Sequence, residues 1–398
     1  MNSVPDGTMR GLAPRQLAAE LAVPSTLLQR RAARARELMQ AEGLDGLIVP
    51  SRGHVTQYGD VEFLTGYTPV ARMAYAVLAR SGRGPVLVVP TPADRWYAGR
   101  LPDPPEIRLG GSGDLLSGAD DLPGGAASVL VEEGVGEGRI GIGGLRHLLP
   151  VGEFDALRRA LPRAELVDAG ALMSRLKLLK EDEELAKVAR TVAIADAGFV
   201  AARQALRPGA TDADVHAAIR NAVFARGARD ALIFVSAEAY FLSWSQGRRF
   251  RNGDLTTIYV EIVGPTGYWV EVGGTVALGE PAPEALRVAG AATEAAHRAE
   301  EHLRPGSRAG DVARAIDAVA GAHDLHTGLW HGHGVGVDHD GPVITAADET
   351  PLAAGMVLAI HPNFSTADER FGASSVDTYV ITDTGFRRLS AVPQEVLR

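Results

Sequence analysis

The chain of 398 residues contains no cysteine. Disulfides, thiolate metal sites and a cysteine nucleophile are excluded together, so any metal must sit on His, Asp or Glu. No run approaches the roughly eighteen apolar residues that a membrane span requires, and residues 1–24, MNSVPDGTMRGLAPRQLAAELAVP, lack the apolar core of a signal peptide. They read as an N-terminal extension on a cytoplasmic protein that meets no membrane. Aromatics are only 6% of the chain, the formal charge is -9, and the arginines are scattered rather than gathered in a stripe. That pattern argues against nucleic acid and leaves a small molecule or peptide as partner. What is present is ordinary globular material, 46% apolar and 22% charged, in a length that suits two domains or three.

Leu27, Leu28, Leu38 and Met39 predict a helix over 26–42 that Gly43 stops. Short apolar runs follow at 46-GLIVPS-51, 75-YAVLAR-80 and 85-PVLVVP-90, and 91-TPADRWYAGRL-101 reads as a helix behind a capping threonine. This alternation predicts an α/β domain over 25–175. The Gly/Pro/Asp-rich piece from Leu101 to Gly125 reads as loop. Beyond it, Leu185, Val188, Ala189, Val192 and Phe199 recur at helical steps behind the acidic turn EDEE, opening a second domain over 176–398.

That second domain repeats itself. The segment 206-LRPGATDADV-215 recurs as 303-LRPGSRAGDV-312, and 252-NGDLTTIYVE-261 parallels 354-AGMVLAIHPN-363, each about a hundred residues on. Two helix-then-sheet halves related by a pseudo-two-fold axis are implied, although LRPG by itself is also a common helix exit. Pairing the halves sets Tyr259 opposite His361. Strand alternation puts Glu261 on the same face as Tyr259, and a hairpin strand within 267-GYWVEVGGTVAL-278 carries Glu271 among β-formers.

The stretch 331-HGHGVGVDHDGP-342 gathers three histidines and two aspartates in twelve residues. Its glycines permit close approach of backbone to a ligand or another strand, and His331 and His333 share a face if the segment is extended. One histidine is ordinarily a hydrogen-bonded structural residue. Three together, with a fourth at His361, point to a site. Tyr240, Ser243 and Tyr259 suggest a partly apolar, hydroxyl-lined substrate pocket, while Arg52 and Arg72 are candidates to meet a substrate carboxylate, set against their usual role as solvated surface.

Several blocks together resemble the pita-bread superfamily of aminopeptidase P, prolidase, methionine aminopeptidase and creatinase: 44-LDGLIVPS-51, 63-FLTGY-67, 176-LKLLKEDEELAKVAR-190, 253-GDL-255, 331-HGHGVG-336 and 355-GMVLAIHP-362. The resemblance spans nearly the whole chain. It implies a creatinase-type N-terminal α/β domain, a pita-bread α+β domain behind it, and a homodimer. The peptidases of that family hold two metal ions on two Asp, one His and two Glu. Carried over, these fall on Tyr259, Glu271, His333, His361 and Val376, with a one-residue slip to Glu261 and Asp377 open at either end. Tyrosine and valine cannot replace bridging carboxylates, so the dinuclear site is expected to be absent.

Glu271, His333 and His361 remain as ligands for one divalent ion: iron, manganese or zinc. His339 resembles the family's second histidine, which stabilises the oxyanion. Glu261 is the candidate proton acceptor, and His331 a proton donor or a support for the ligands. The metal-free general base of creatinase falls on Leu242 and is missing. The expected activity is mononuclear metal-dependent hydrolysis of a C–N bond in a small amino-acid- or dipeptide-like substrate. The alternatives are a non-haem iron(II) oxygenase on the same three residues, a metal-free creatinase-like amidinohydrolase, and a non-catalytic binding module.

Overall fold

A computed structural model describes residues 23–54, 56–110 and 121–397. The expected N-terminal extension lies almost wholly outside them. The chain divides into two compact units that part between Lys177 and Leu178.

In the first unit, Leu27, Ala35, Leu38 and Met39 bury one side of the helix Ser25–Ala41, and Gly43 follows it in the left-handed region. Six strands form one mixed sheet: β1 (Gly46–Arg52), β2 (Met73–Ala79), β3 (Val86–Val89), β4 (Glu106–Leu109), β5 (Arg139–Ile142) and β6 (Glu165–Asp168), in spatial order β4-β3-β2-β1-β5-β6. The β1–β2 and β2–β3 pairs are antiparallel and the others parallel. The central strands are buried along their length, which is why they read as unbroken apolar runs. Thr91 caps the helix Pro92–Ala98 by accepting the Asp94 N–H. The loop expected from Leu101 to Gly125 needs correction. It contains β4, a four-residue edge strand too polar and short to show a period, and it runs into the helix Asp121–Glu132; residues 111–120 lie outside the described part.

In the second unit the repeat is visible in backbone conformation. Gly209 and Gly306, the glycines of the two LRPG turns, have φ of 90° and 88°; Gly253 and Gly355, which open the paired strands, have 92° and 90°. Only glycine enters this region cheaply. Each LRPG turn leads into a helix, Asp212–Phe224 or Ala309–Ala322, and each helix start makes an isolated antiparallel bridge, Thr211 with Arg249 and Arg308 with Pro351.

The first half forms an antiparallel sheet of β7 (Asp230–Ser236), β8 (Leu255–Val263) and β9 (Trp269–Ala277). The second half supplies β10 (His326–Thr327), β11 (Gly332–Val335), β12 (His339–Val343), β13 (Val357–Ile360), β14 (Asn363–Ser365), β15 (Gly372–Ser374), β16 (Asp377–Ile381) and β17 (Phe386–Arg388). Five of these make a sheet in the order β12-β11-β13-β16-β17, and β10-β14-β15 make a smaller one. The two halves are knitted at β9 and β16. Gly273 and Val376 exchange backbone hydrogen bonds of 3.0 and 3.2 Å, and Thr378 Oγ1 both accepts from Glu271 N (3.0 Å) and donates to Glu271 O (2.8 Å).

Candidate metal and acid–base centre

Alternation along β8 and β9 assembles the carboxylates. Glu261 lies directly across from Glu271, and Tyr259 across from Gly273, all on one face. The glycine-rich block then brings the imidazoles close. A side chain at Gly334 would meet Gly341 O at 2.1 Å, so β11 and β12 approach nearer than any other residue allows. His333 and His339 thereby face each other with ring centroids 4.6 Å apart. His361, just past β13, closes the group: its ring lies 5.7 Å from that of His333 and 6.1 Å from that of Tyr259.

Ligand atoms of Glu271, His333 and His361 all lie within 4.8 Å of one another, and all three residues are buried. His333 Nε2 is 3.0 Å from Glu271 Oε1, and His361 Nε2 is 4.0 Å from Glu271 Oε2. The first distance suits an ion pair, yet Oε1 accepts no aligned hydrogen bond among the described residues. The pair is therefore held by charge and proximity more than by a well-aligned hydrogen bond. His333 Nδ1 donates to Gly334 O at 3.0 Å, which leaves Nε2 as its ligating nitrogen. Tyr259 OH donates to Glu271 Oε2.

The charge states agree with a cation site. Burial opposes a charge on Glu271, but His333, His361 and His339 outweigh it and hold the carboxyl down at about 2. Burial lowers His361 to about 4 against the pull of Glu271, so it is a neutral donor near pH 7. Burial also disfavours charged His333, yet Glu271 raises its pKa; a metal would compete with that proton. Two imidazoles and a carboxylate match the donors zinc and non-haem iron accept, so the residues fit one ion. The five-ligand set that the resemblance implies is incomplete here, while Glu261, Glu271 and His339 form a second group whose donor atoms also lie within 4.8 Å of one another. Tyr259 occupies one of the required positions with its phenol protonated by burial and by Glu271, and Val376 packs with Phe234, Phe241 and Tyr259 in another.

Glu261 and His339 form a separate pair through Oε1 and Nε2. Burial raises Glu261, with His339 opposing; burial works against His339 charge, but Glu261 prevails and lifts it to about 9. They share a proton beside Glu271, which belongs to both groups of donor atoms. The Trp269 ring stands edge-on to His339 at 5.5 Å.

Other expected residues go elsewhere. His331 does not join the cluster: its Nε2 bonds Asp317 Oδ1 of the helix Ala309–Ala322 at 2.8 Å, because Gly332, at φ 151°, breaks the alternation that would align it with His333. Asp377 points away as well, paired with Arg388 and raised by burial to about 7, so Val376 and not Asp377 faces the cluster. Tyr240 borders a neighbouring cavity, its hydroxyl 3.3 Å from Glu369 Oε1 and from Ser365 Oγ. Ser243 is half-buried in the same loop but does not line that cavity. Arg52 and Arg72 belong to the first unit, where Arg72 lies 4.0 Å from Asp94 and Arg52 acts on Tyr75 and Glu153. Sequence reasoning missed Phe241, which stacks on Tyr259 at 4.9 Å, and Thr257, two residues before Tyr259 on the same strand face. The period of two could have found Thr257; no periodicity marks Phe241.

Residues 31–178 match the Creatinase/Prolidase N-terminal domain, and residues 186–383 match metallopeptidase family M24. The chain belongs to the pita-bread hydrolase superfamily of aminopeptidase P, prolidase and creatinase. The crystal structure of dipeptidase PepE from Mycobacterium ulcerans superposes with a TM-score of 0.78 at 26% identity, over 94% of this chain and 99% of that one. A creatinase of a Bacillus species is 25% identical over 391 residues, 92% of this chain and 91% of the relative. A Xaa-Pro dipeptidase of Pyrococcus horikoshii is 26% identical over 263 residues, 64% and 74% of the two chains. The resemblance leads one to expect carboxylates at the positions that Tyr259, His361 and Val376 occupy. No helix among the described residues is long and apolar enough to cross a membrane.

Proposed function

We propose that this protein hydrolyses a C–N bond in a small amino-acid- or dipeptide-like substrate, with a single divalent ion held by Glu271, His333 and His361. The observation that carries this reading is the convergence of those three buried donor groups, whose ligand atoms lie within 4.8 Å of one another. The names of the relatives, dipeptidase, Xaa-Pro dipeptidase and creatinase, support the bond class. An ion bound there supplies Lewis acidity, which polarises a carbonyl and eases deprotonation of water.

The remaining work falls to the chain. Tyr259 fixes the Glu271 carboxylate by donating to Oε2, so the ligand is preorganised. Glu261 accepts the proton of the attacking water, and its pairing with His339 keeps the proton in the site. His339, as imidazolium, then stabilises the developing oxyanion and returns a proton to the nitrogen as the C–N bond breaks. The buried setting strengthens each of these interactions.

Hydrolysis of dipeptides and amino-acid amides, measured before chelation, after it and after return of zinc, manganese or iron, tests the reading. Activity that disappears and returns supports it. Turnover that survives exhaustive chelation favours a second reading, metal-free acid–base hydrolysis by Glu261 and His339, a pair already complete without an ion. Oxygen uptake by iron-loaded protein would move the chemistry to oxidation.

A further inference from the structure

Beside the cluster lies a cavity of about 230 Å³ whose wall is nearly all apolar: Phe241, Leu242, Leu329, Phe364 and Ala373. It is larger than the apolar cavity of about 150 Å³ known to take up benzene. Two links tie it to the cluster. Thr257 on its wall shares the face of β8 that carries Tyr259 and Glu261, and Phe241 stacks on the Tyr259 ring whose hydroxyl holds Glu271.

Two of its polar side chains, Asn363 and Tyr240, are already engaged. Asn363 Oδ1 accepts the Gly328 N–H at 3.0 Å, while Nδ2 donates to His361 O at 3.0 Å and lies 3.4 Å from Leu329 O and Trp330 O. Asn363 thereby pins the segment 328–330 over the cavity instead of greeting a ligand. The Tyr240 ring presses on Gly328 so closely that a side chain there would meet it at 2.6 Å. Among the described residues no Asp, Glu, Lys or Arg lines the space, so a charged group would enter unpaired at a large desolvation cost.

We propose that this cavity selects the substrate: it receives an uncharged apolar side chain or acyl group, of isobutyl to benzyl size, next to the scissile C–N bond. The proposal rests on the hydrolytic reading above for the reaction, and on the cavity alone for the selectivity. Tyr240 and Leu242, 42% and 62% exposed, form its mouth, and Phe241 and Phe364 its floor.

The test uses the full chain and a series of amino-acid amides, those of Ala, Leu, Phe, Asp and Lys, measured for binding by calorimetry and for ammonia release. Leu and Phe amides should bind at least tenfold tighter than the Ala amide, since pocket methylenes discriminate by about tenfold or more each, and the Asp and Lys amides should be weakest. Ala373→Leu, which fills the cavity, should lower binding of the Phe amide at least tenfold and leave the Ala amide unaffected. Leu242→Asp, at the exposed mouth and harmless to folding, should raise Lys-amide binding relative to Leu. Selective binding without ammonia release would uphold the cavity and remove the hydrolytic reading. Equal binding across the series, a preference for charged amides, or unchanged selectivity in Leu242→Asp would overturn the cavity assignment.

Discussion

Replacing Tyr259 with Phe removes one hydroxyl from the centre and little else. The ring keeps its stack on Phe241 at 4.9 Å and its tilted contact with Phe234 at 5.9 Å. Glu271, however, is completely buried and charged, its Oε1 accepts no aligned hydrogen bond, and Tyr259 is the hydroxyl donor to Oε2. A hydrogen bond to a charged group contributes about 1.5–3 kcal/mol, and burial keeps the stranded carboxylate from bulk solvent. For a unit of this size each kcal/mol moves Tm by roughly 2–4 °C, so the metal-free variant should melt about 3–12 °C below wild type. Added zinc should close most of that gap, because an ion compensates the charge that the phenol no longer does. Scanning calorimetry with and without zinc reads both numbers. A metal-free Tm within about 1 °C of wild type, or a deficit that zinc leaves untouched, would refute the claim that Tyr259 holds Glu271 in place.

Glu261→Gln should free His339 of its partner and abolish a pH-dependent share of stability. His339 is raised to about 9 in the fold, so its contribution is complete below its unfolded value near 6.5 and is lost as pH rises through about 9; the raised Glu261 also loses stability with rising pH. Urea titrations from pH 6 to 9.5 should show wild type weakening by up to about 3 kcal/mol more than the variant across that window, the variant keeping only the slope that the raised His333 and Asp377 contribute. Thr378→Val should cost about 1–3 kcal/mol, since it strands the buried Glu271 N–H that Oγ1 now satisfies. An unchanged urea midpoint would show that this link between β9 and β16 holds nothing.

The parts of the centre legible in the sequence were those carried by a period or a repeat. Alternation on β8 placed Tyr259 and Glu261 together, the two glycine-led strands placed His361 opposite Tyr259, and the density of glycine around His333 reported an approach that no Cβ would survive. What was illegible depended on geometry that a pattern does not record. His331 follows Asp317 because a single φ at Gly332 turns the strand, and the parity of β16 decides that Val376 faces inward while Asp377 meets Arg388. The cavity is built from loop residues such as Phe241 and Leu329, brought together by Asn363 across more than thirty positions of chain. Strand β4 escaped because four half-exposed residues at a sheet edge carry neither a hydrophobic run nor an alternation.

The central claim is that two imidazoles and one carboxylate grip a single ion. Elemental analysis of protein purified anaerobically, for wild type and for Glu271→Ala, His333→Ala and His361→Ala separately, measures it most directly, with circular dichroism to confirm that each variant is folded. One ion of zinc, iron or manganese per chain in wild type, lost from every folded variant, is the predicted result. Wild type without metal, two ions per chain, or metal retained when any of the three side chains is gone would contradict it.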